Sequence, residues 1–227
     1  MKIAVIPARG GSKRIPRKNV REFCGKPMLA WALEKATKSG LFDHIILTTD
    51  DEEIATIGRS FGAETPFMRP DELANDFATT GDVMKHAVEE LGENRLYCCI
   101  YPTAPFVQAE DLAIAAKKMQ TGSWDYVFSA THFAFPIQRA LRQHADHSVS
   151  MFEPKNELTR SQDLEPALHD AGQFYWGTGE AFANKRLIFS SRSTIVELPT
   201  WRVQDIDTED DWTRAEAMFK ALGLDKK

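Results

Sequence analysis

Through about residue 130, short apolar runs alternate with stretches of helical period. "KIAVIPA" (2–8) is a continuous apolar run and predicts a strand buried on both faces. "PMLAWALEKATKSG" (27–40) predicts a helix, with Pro27 near its first turn and Gly40 as its stop. "HIILTTD" (44–50) reads as a second strand and "DEEIATIGRSFG" (51–62) as a second helix. "TPFMRP" (65–70) reads as an extended piece, followed by a helix in "TTGDVMKHAVEELG" (79–92) with Thr79 or Thr80 as its cap. "RLYCCIYP" (95–102) and "DYVFSAT" (125–131) predict two more strands around the helix "AEDLAIAAKKMQTG" (109–122). Strands alternating with helices imply βαβ units, hence an α/β fold with a mainly parallel sheet flanked by helices.

Residues 133–170 break this rhythm, with weak periodicity and many polar positions. They predict an arm, with a hairpin, inserted into a single domain spanning 1–227. The alternation returns at "GQFYWG" (172–177). A helix near 179–187 follows, then the strand "STIVELP" (193–199) and a last helix that begins after "DIDT" and runs to about Leu222. In such sheets ligands sit beyond the carboxyl ends of the strands. That rim would hold the segment after the first strand, Asp50 and "YPTAPF" (101–106).

Composition narrows the class. Hydrophobic residues make up 43% and charged residues 27%, as in ordinary globular proteins. A net charge of −5 argues against a general nucleic-acid binder. The three cysteines, Cys24, Cys98 and Cys99, have no metal-like spacing and read as reduced thiols in a cytoplasmic protein. No apolar run reaches the length of a membrane span, and Ile3–Ala8, interrupted by Pro7, is too short for a signal peptide.

Against this acidic background, "IPARGGSKRIPRKN" (6–19) gathers five cations, Arg9, Lys13, Arg14, Arg17 and Lys18, beside two glycines. A glycine-rich cationic loop after a parallel strand suits phosphate: backbone N–H groups of Gly10, Gly11 and Ser12 can turn inward, and Arg9 and Lys18 can pair with anionic oxygens. It matches neither the P-loop nor the dinucleotide fingerprint. Arg14 or Arg17 could simply face water. The opposite pole is "DIDTEDD" (205–211), with five carboxylates in seven residues. Thr208 and the acids after it read as a helix N-terminus. Asp205 and Asp207 precede that cap and share one side of an extended segment, where two carboxylates beside a phosphate could hold Mg²⁺. Spacing alone leaves a structural role for them equally open. In "HDAGQFYWGTGE" (169–180) the aromatics can wall a sugar and Gln173 can fix a hydroxyl, while Phe174 and Trp176 suit strand packing. His144 and His147 read as surface residues, without a metal partner in register.

These segments together resemble the CMP-sialic acid synthetase family, the cytidylyltransferases that activate nonulosonic acids. Besides the opening loop, "ILTTDDEEIA", "RPDELANDFATT", "YPTAPF" and "DIDTEDD" resemble family motifs in the same order across nearly the whole chain. The resemblance implies a nucleotide-diphospho-sugar transferase-like fold with a dimerisation arm, hence a homodimer. It also implies transfer of CMP from CTP to a nine-carbon α-keto acid sugar, with Mg²⁺ as cofactor. Ala8, Arg9, Gly10, Gly11, Ser12, Lys18 and Asn19 would fall on the triphosphate loop, and Arg69, Asp76 and Thr80 near the cytidine. Asp205 and Asp207 would bind the metal, with Arg9, Lys18 and Asp207 as the catalytic set. Tyr101, Thr103, Gln173 and Tyr175 would lie on the sugar side. Where N-acetylneuraminate members resemble "QPTSPLR" and "NGAIYI", this chain has "YPTAPFV" and "DAGQFYWG". Those departures resemble the pseudaminic acid branch, which serves bacterial flagellin glycosylation. N-acetylneuraminic or legionaminic acid is the alternative substrate, and a non-catalytic nucleotide-binding module the alternative of another class.

Overall fold

The computed structural model describes residues 1–226. Its main sheet has six strands: β1 (Lys2–Pro7), β2 (His44–Thr48), β3 (Leu96–Ile100), β4 (Tyr126–His132), β5 (Leu168–Thr178) and β6 (Ser193–Glu197), in the order β6-β4-β5-β3-β1-β2. β1 pairs in parallel with β2 and β3, and β6 with β4. The expectation of a mainly parallel sheet holds, with one strand reversed. β5 runs antiparallel between β3 and β4.

The unbroken apolar runs exist because both faces of the sheet are covered. In β1, Ala4 and Ile6 join one core cluster while Ile3 and Val5 join another. Cys98 and Cys99 split between the same two clusters, buried as free thiols. Helices α1 (Met28–Ser39), α2 (Glu52–Ser60) and α4 (Ala109–Thr121) contribute to the first, through residues such as Leu33, Ile54 and Leu112. Helices α3 (Thr80–Leu91) and α5 (Gly179–Ala183) contribute to the second, through Met84 and Phe182. Thr79 caps α3: its side chain accepts from the Asp82 N–H and Asp82 answers at the Thr79 N–H, a reciprocal capping box.

A third cluster sits to one side. Helix α6 (Glu209–Ala221) packs Trp212 and Phe219 on Phe23 and Trp31, with Ile15 and Ile206 fully buried among them. Ile15 lies inside the cationic segment and Ile206 between Asp205 and Asp207. Hydrophobic burial of two isoleucines therefore draws the two charged poles to one place.

The predicted arm is shorter than expected at its far end, because β5 already begins at Leu168 and pairs it with His132 of β4. Between them lie a hairpin of Leu141–Gln143 with Val149–Met151 and several single 3₁₀ turns. The arm carries apolar side chains into solvent, with Phe135 83%, Leu141 62% and Leu158 95% exposed. No helix among the described residues is long and apolar enough to cross a membrane.

Candidate active site

The opening loop leaves the carboxyl end of β1 and is fastened at four points. The Ala8 N–H donates to the Thr48 carbonyl at 3.0 Å, and the Gly10 N–H to Asp50 Oδ1 at 3.0 Å. A Cβ at Gly10 would stand 2.7 Å from Asp51 Oδ2, so a larger residue there would have to displace the Asp51 carboxylate. Arg17, at φ 56°, pairs with Asp51 and with Glu53, and is thereby turned onto the start of α2. Asn19, nearly buried, ties the loop across itself by donating to the Arg9 carbonyl at 2.9 Å.

This bracing leaves Arg9, Ser12, Lys13, Arg14, Lys18 and Asn19 around a cavity of about 590 Å³ at the carboxyl ends of the parallel strands. Two carboxylates stand among the cations. Asp76 meets Arg9 at 3.1 Å and Lys13 at 2.5 Å, and the Lys13 hydrogen bond holds its carboxyl below the usual range. Asp207 meets Arg14 at 2.9 Å and Lys18 at 3.2 Å. Lys18 also donates to the Ile206 carbonyl at 2.7 Å. Four cations thus share two anions in one concavity, a field that attracts a polyanion. Arg69, 5% exposed, donates to the Thr48 carbonyl at 2.5 Å, and burial lowers its guanidinium to about 10, so it stays charged at neutral pH.

Ile206, between Asp205 and Asp207, is fully buried, and of the two aspartates only Asp207 lines the cavity. Partial desolvation and the nearby Asp207 charge raise the Asp205 carboxyl. The acids after them have the helix-start role expected: Thr208 and Asp211 form a reciprocal capping box on α6.

A second cavity of about 270 Å³ adjoins the first, and Thr80 and Tyr101 line both. Their hydroxyl oxygens lie 3.0 Å apart and form a ridge between the two. Beyond it stand Tyr175, whose hydroxyl donates to Asp170, and the apolar side chains of Met84, Tyr126, Phe182 and Phe189. Arg186 at its margin is anchored on buried Asp125 at 2.8 Å, and Lys185 on Asp82.

Of the expected residues, Arg9, Ser12, Lys18, Asn19, Arg69, Asp76, Thr80, Tyr101, Thr103 and Asp207 line the larger cavity, and Tyr175 the smaller. Four expectations need correction. Ala8 is fully buried in the core cluster and lines neither cavity. Gly10 commits its N–H to Asp50, and neither it nor Gly11 lines a cavity, so no inward-turned pair of glycine amides forms. Gln173 is 3% exposed and donates its amide to the Arg202 carbonyl at 2.6 Å, away from both cavities. A register shift between Phe128 and Ala130, with Gly172 at φ 61°, puts Gln173 out of phase with Tyr175. Phe174 and Trp176 take the packing role expected of them. Sequence reasoning missed Lys13 and Arg14 as cavity residues and Asp170 altogether; Arg14, read as free to face water, pairs with Asp207. Its one sequence signal is the buried Ile15 beside it, which fixes the loop's orientation.

The Cytidylyltransferase family model matches residues 3–226. A pseudaminic acid cytidylyltransferase of Campylobacter jejuni is 42% identical over 96% of each chain. An N-acylneuraminate cytidylyltransferase of Escherichia coli is 30% identical over 94% of this chain and 51% of its own. Among solved structures, a CMP:2-keto-3-deoxy-manno-octonic acid synthetase complexed with CTP superposes with a TM-score of 0.72 at 16% identity, covering 97% of this chain and 98% of that one. The shared fold, the match across almost the whole chain and the cation-lined cavity at the sheet's rim agree: the chain belongs to the cytidylyltransferase family and is an enzyme of that class.

Proposed function

We propose that this enzyme transfers CMP from CTP to the anomeric hydroxyl of pseudaminic acid and releases pyrophosphate. One observation carries the reading: a cavity ringed by Arg9, Lys13, Arg14 and Lys18 opens over the Thr80–Tyr101 ridge into a smaller, more apolar one. The first suits a nucleoside triphosphate and the second the body of a sugar. The relative most like the chain among those compared above acts on pseudaminic acid, and the departures at Tyr101 and Val107 from the N-acetylneuraminate pattern point the same way.

The sugar's anomeric hydroxyl oxygen forms a bond to the α-phosphorus of CTP and loses its proton to solvent water, as the bond to the pyrophosphate oxygen breaks on the opposite side. Arg9 and Lys13 are placed to exchange Asp76 for phosphate oxygens. Lys18, held by the Ile206 carbonyl, presents its ammonium beside Asp207 and takes up charge on the departing pyrophosphate. Buried Arg69 supplies a fixed donor for the cytidine end. Asp205 and Asp207 supply the chemistry a hard divalent cation takes: they are two carboxylates two residues apart, and Asp207 lines the cavity beside the phosphate-binding cations. They would hold Mg²⁺, which keeps most of its ligands as water and phosphate and would offset phosphate charge.

Pyrophosphate release with CTP, Mg²⁺ and a panel of pseudaminic, legionaminic, N-acetylneuraminic and 3-deoxy-octulosonic acids tests the reading. Release with pseudaminic acid alone is expected. Release with a different acid keeps the transfer and replaces the sugar, whereas none with any acid, from folded protein that binds CTP, overturns the reaction.

The exposed apolar arm supports a homodimer in which a second copy covers Phe135, Leu141 and Leu158. Sedimentation as a monomer at micromolar concentration would remove that part of the proposal. CTP as co-substrate and three free thiols suit a cytoplasmic setting.

A further inference from the structure

The segment that carries Asp205 and Asp207 has no regular structure of its own to hold it: residues 203–207 belong to no helix or strand. Its downstream end is fixed by the buried Ile206 and by Asp211, whose Oδ2 accepts from the Asp207 N–H at 3.3 Å. Its upstream end hangs on Arg202. The Arg202 guanidinium meets Asp111 with two prongs, Nη1 to Oδ2 at 2.6 Å and Nη2 to Oδ1 at 3.1 Å. The Arg202 carbonyl accepts from Gln173 Nε2 at 2.6 Å. Arg202 thus joins the first turn of α4, the middle of β5 and the acidic segment, three residues before Asp205.

Gln173 owes its direction to the irregular pairing of β4 with β5. Ser129 Oγ accepts from the N–H groups of Gln173 and Phe174, each at 3.2 Å, where the two strands lose register. An irregularity of this kind re-aims a side chain. The side chains of Asp111 and Arg202 are 10% and 14% exposed. A pair withdrawn that far from water gains little net stability, because desolvation offsets the attraction. What a two-pronged guanidinium–carboxylate pair adds is a fixed direction. Helix α4 does not depend on Asp111 for an acid at its start, since Glu110 stands in the same turn.

Resting on the metal reading proposed above, we infer that Arg202, Asp111 and Gln173 are positioning residues for the metal-binding aspartates. They hold the backbone ahead of Asp205 so that Asp205 and Asp207 serve one divalent cation together. None of the three lines either cavity described above, so they act only through the segment.

The test needs no turnover. CTP binding is measured by calorimetry without sugar, once with Mg²⁺ and once with a chelator, well below the melting midpoint of each protein. The wild type is expected to bind CTP more tightly with Mg²⁺. Arg202→Lys keeps the charge and loses the fork; Gln173→Met keeps the length and loses the donor. Each is expected to lose about tenfold of CTP affinity in Mg²⁺, the scale on which groups behind a metal ligand act, and to stay within about twofold of wild type in chelator. A role in stability alone would not separate the two conditions. Asp207→Asn reports on the metal reading itself and should lose the Mg²⁺-dependent gain altogether. If it does, a folded Arg202→Lys or Gln173→Met protein that keeps the gain overturns the brace and leaves the metal reading standing. Equal losses with and without Mg²⁺ overturn the brace as well. A wild type indifferent to Mg²⁺, or an Asp207→Asn protein that keeps the gain, overturns the metal reading and the brace with it. If only one of the two brace variants folds, it decides alone.

Discussion

Asp207→Asn is expected to lower kcat by about 1,000-fold, in the range lost when a group stabilising transition-state charge is removed from a site of this kind. Asparagine matches aspartate in size, and its carbonyl can still accept from Lys18. The fold has little to lose. Arg14, the other partner, has a side chain 68% exposed, and Lys18 keeps the Ile206 carbonyl. The stability cost should stay below about 1 kcal/mol, as for a solvent-screened pair. Single-turnover CMP transfer and a thermal melt on the same sample separate the two effects. A Mg²⁺ titration should move to higher concentration as well. Turnover within tenfold of wild type, at an unchanged Mg²⁺ midpoint, would remove Asp207 from both the metal and the catalytic set.

Lys18→Met should cost about 100-fold in kcat/KM for CTP, the scale of one well-placed charge donor. The side chain is 17% exposed and bridges the Ile206 carbonyl and Asp207, so its charge sits in the partly dry wall of the cavity. Methionine fills the same path without a donor. Asp207 keeps Arg14, which makes the loss specific to the ammonium. Arg17→Met is the internal control. It sacrifices the pairs with Asp51 and Glu53, outside the cavity, and should weaken the fold by about 1 kcal/mol with kcat within threefold. Equal losses of activity in the two variants would mean that the loop acts through its overall charge and not through the placement of Lys18.

Much of the sheet was legible because burial on both faces writes itself as unbroken apolar runs, as in "KIAVIPA" and "RLYCCIYP". Direction is not written that way. Nothing local to "GQFYWG" distinguishes a parallel strand from the antiparallel β5, whose orientation depends on where the arm returns. The same distinction holds at the site. Arg9, Lys18 and Asp207 stood out because charge was concentrated against an acidic background, and they do meet in one cavity. Gln173 was misplaced because its amide chemistry says nothing of its direction, and the irregular register near Phe128 and Ala130 turns it to the Arg202 carbonyl. Asp170, Tyr101, Thr80 and Phe182 share a cavity but no sequence spacing, so only the folded topology assembles them. The glycines were read as anion-binding amides, whereas Gly10 serves the close approach of the loop to the start of α2.

Ile15 and Ile206 have a further bearing on when the enzyme can be active. Both are buried in the cluster under α6, one behind the cationic loop and one behind the two aspartates. A cooperative unit that opens locally carries with it whatever it supports. Detachment of α6 would uncover Ile15 and Ile206 together, so the apolar backing of both charged poles would be lost in one event. If that helix loosens ahead of the sheet, activity should fall on warming before the sheet melts, which turnover and circular dichroism followed on one sample would separate.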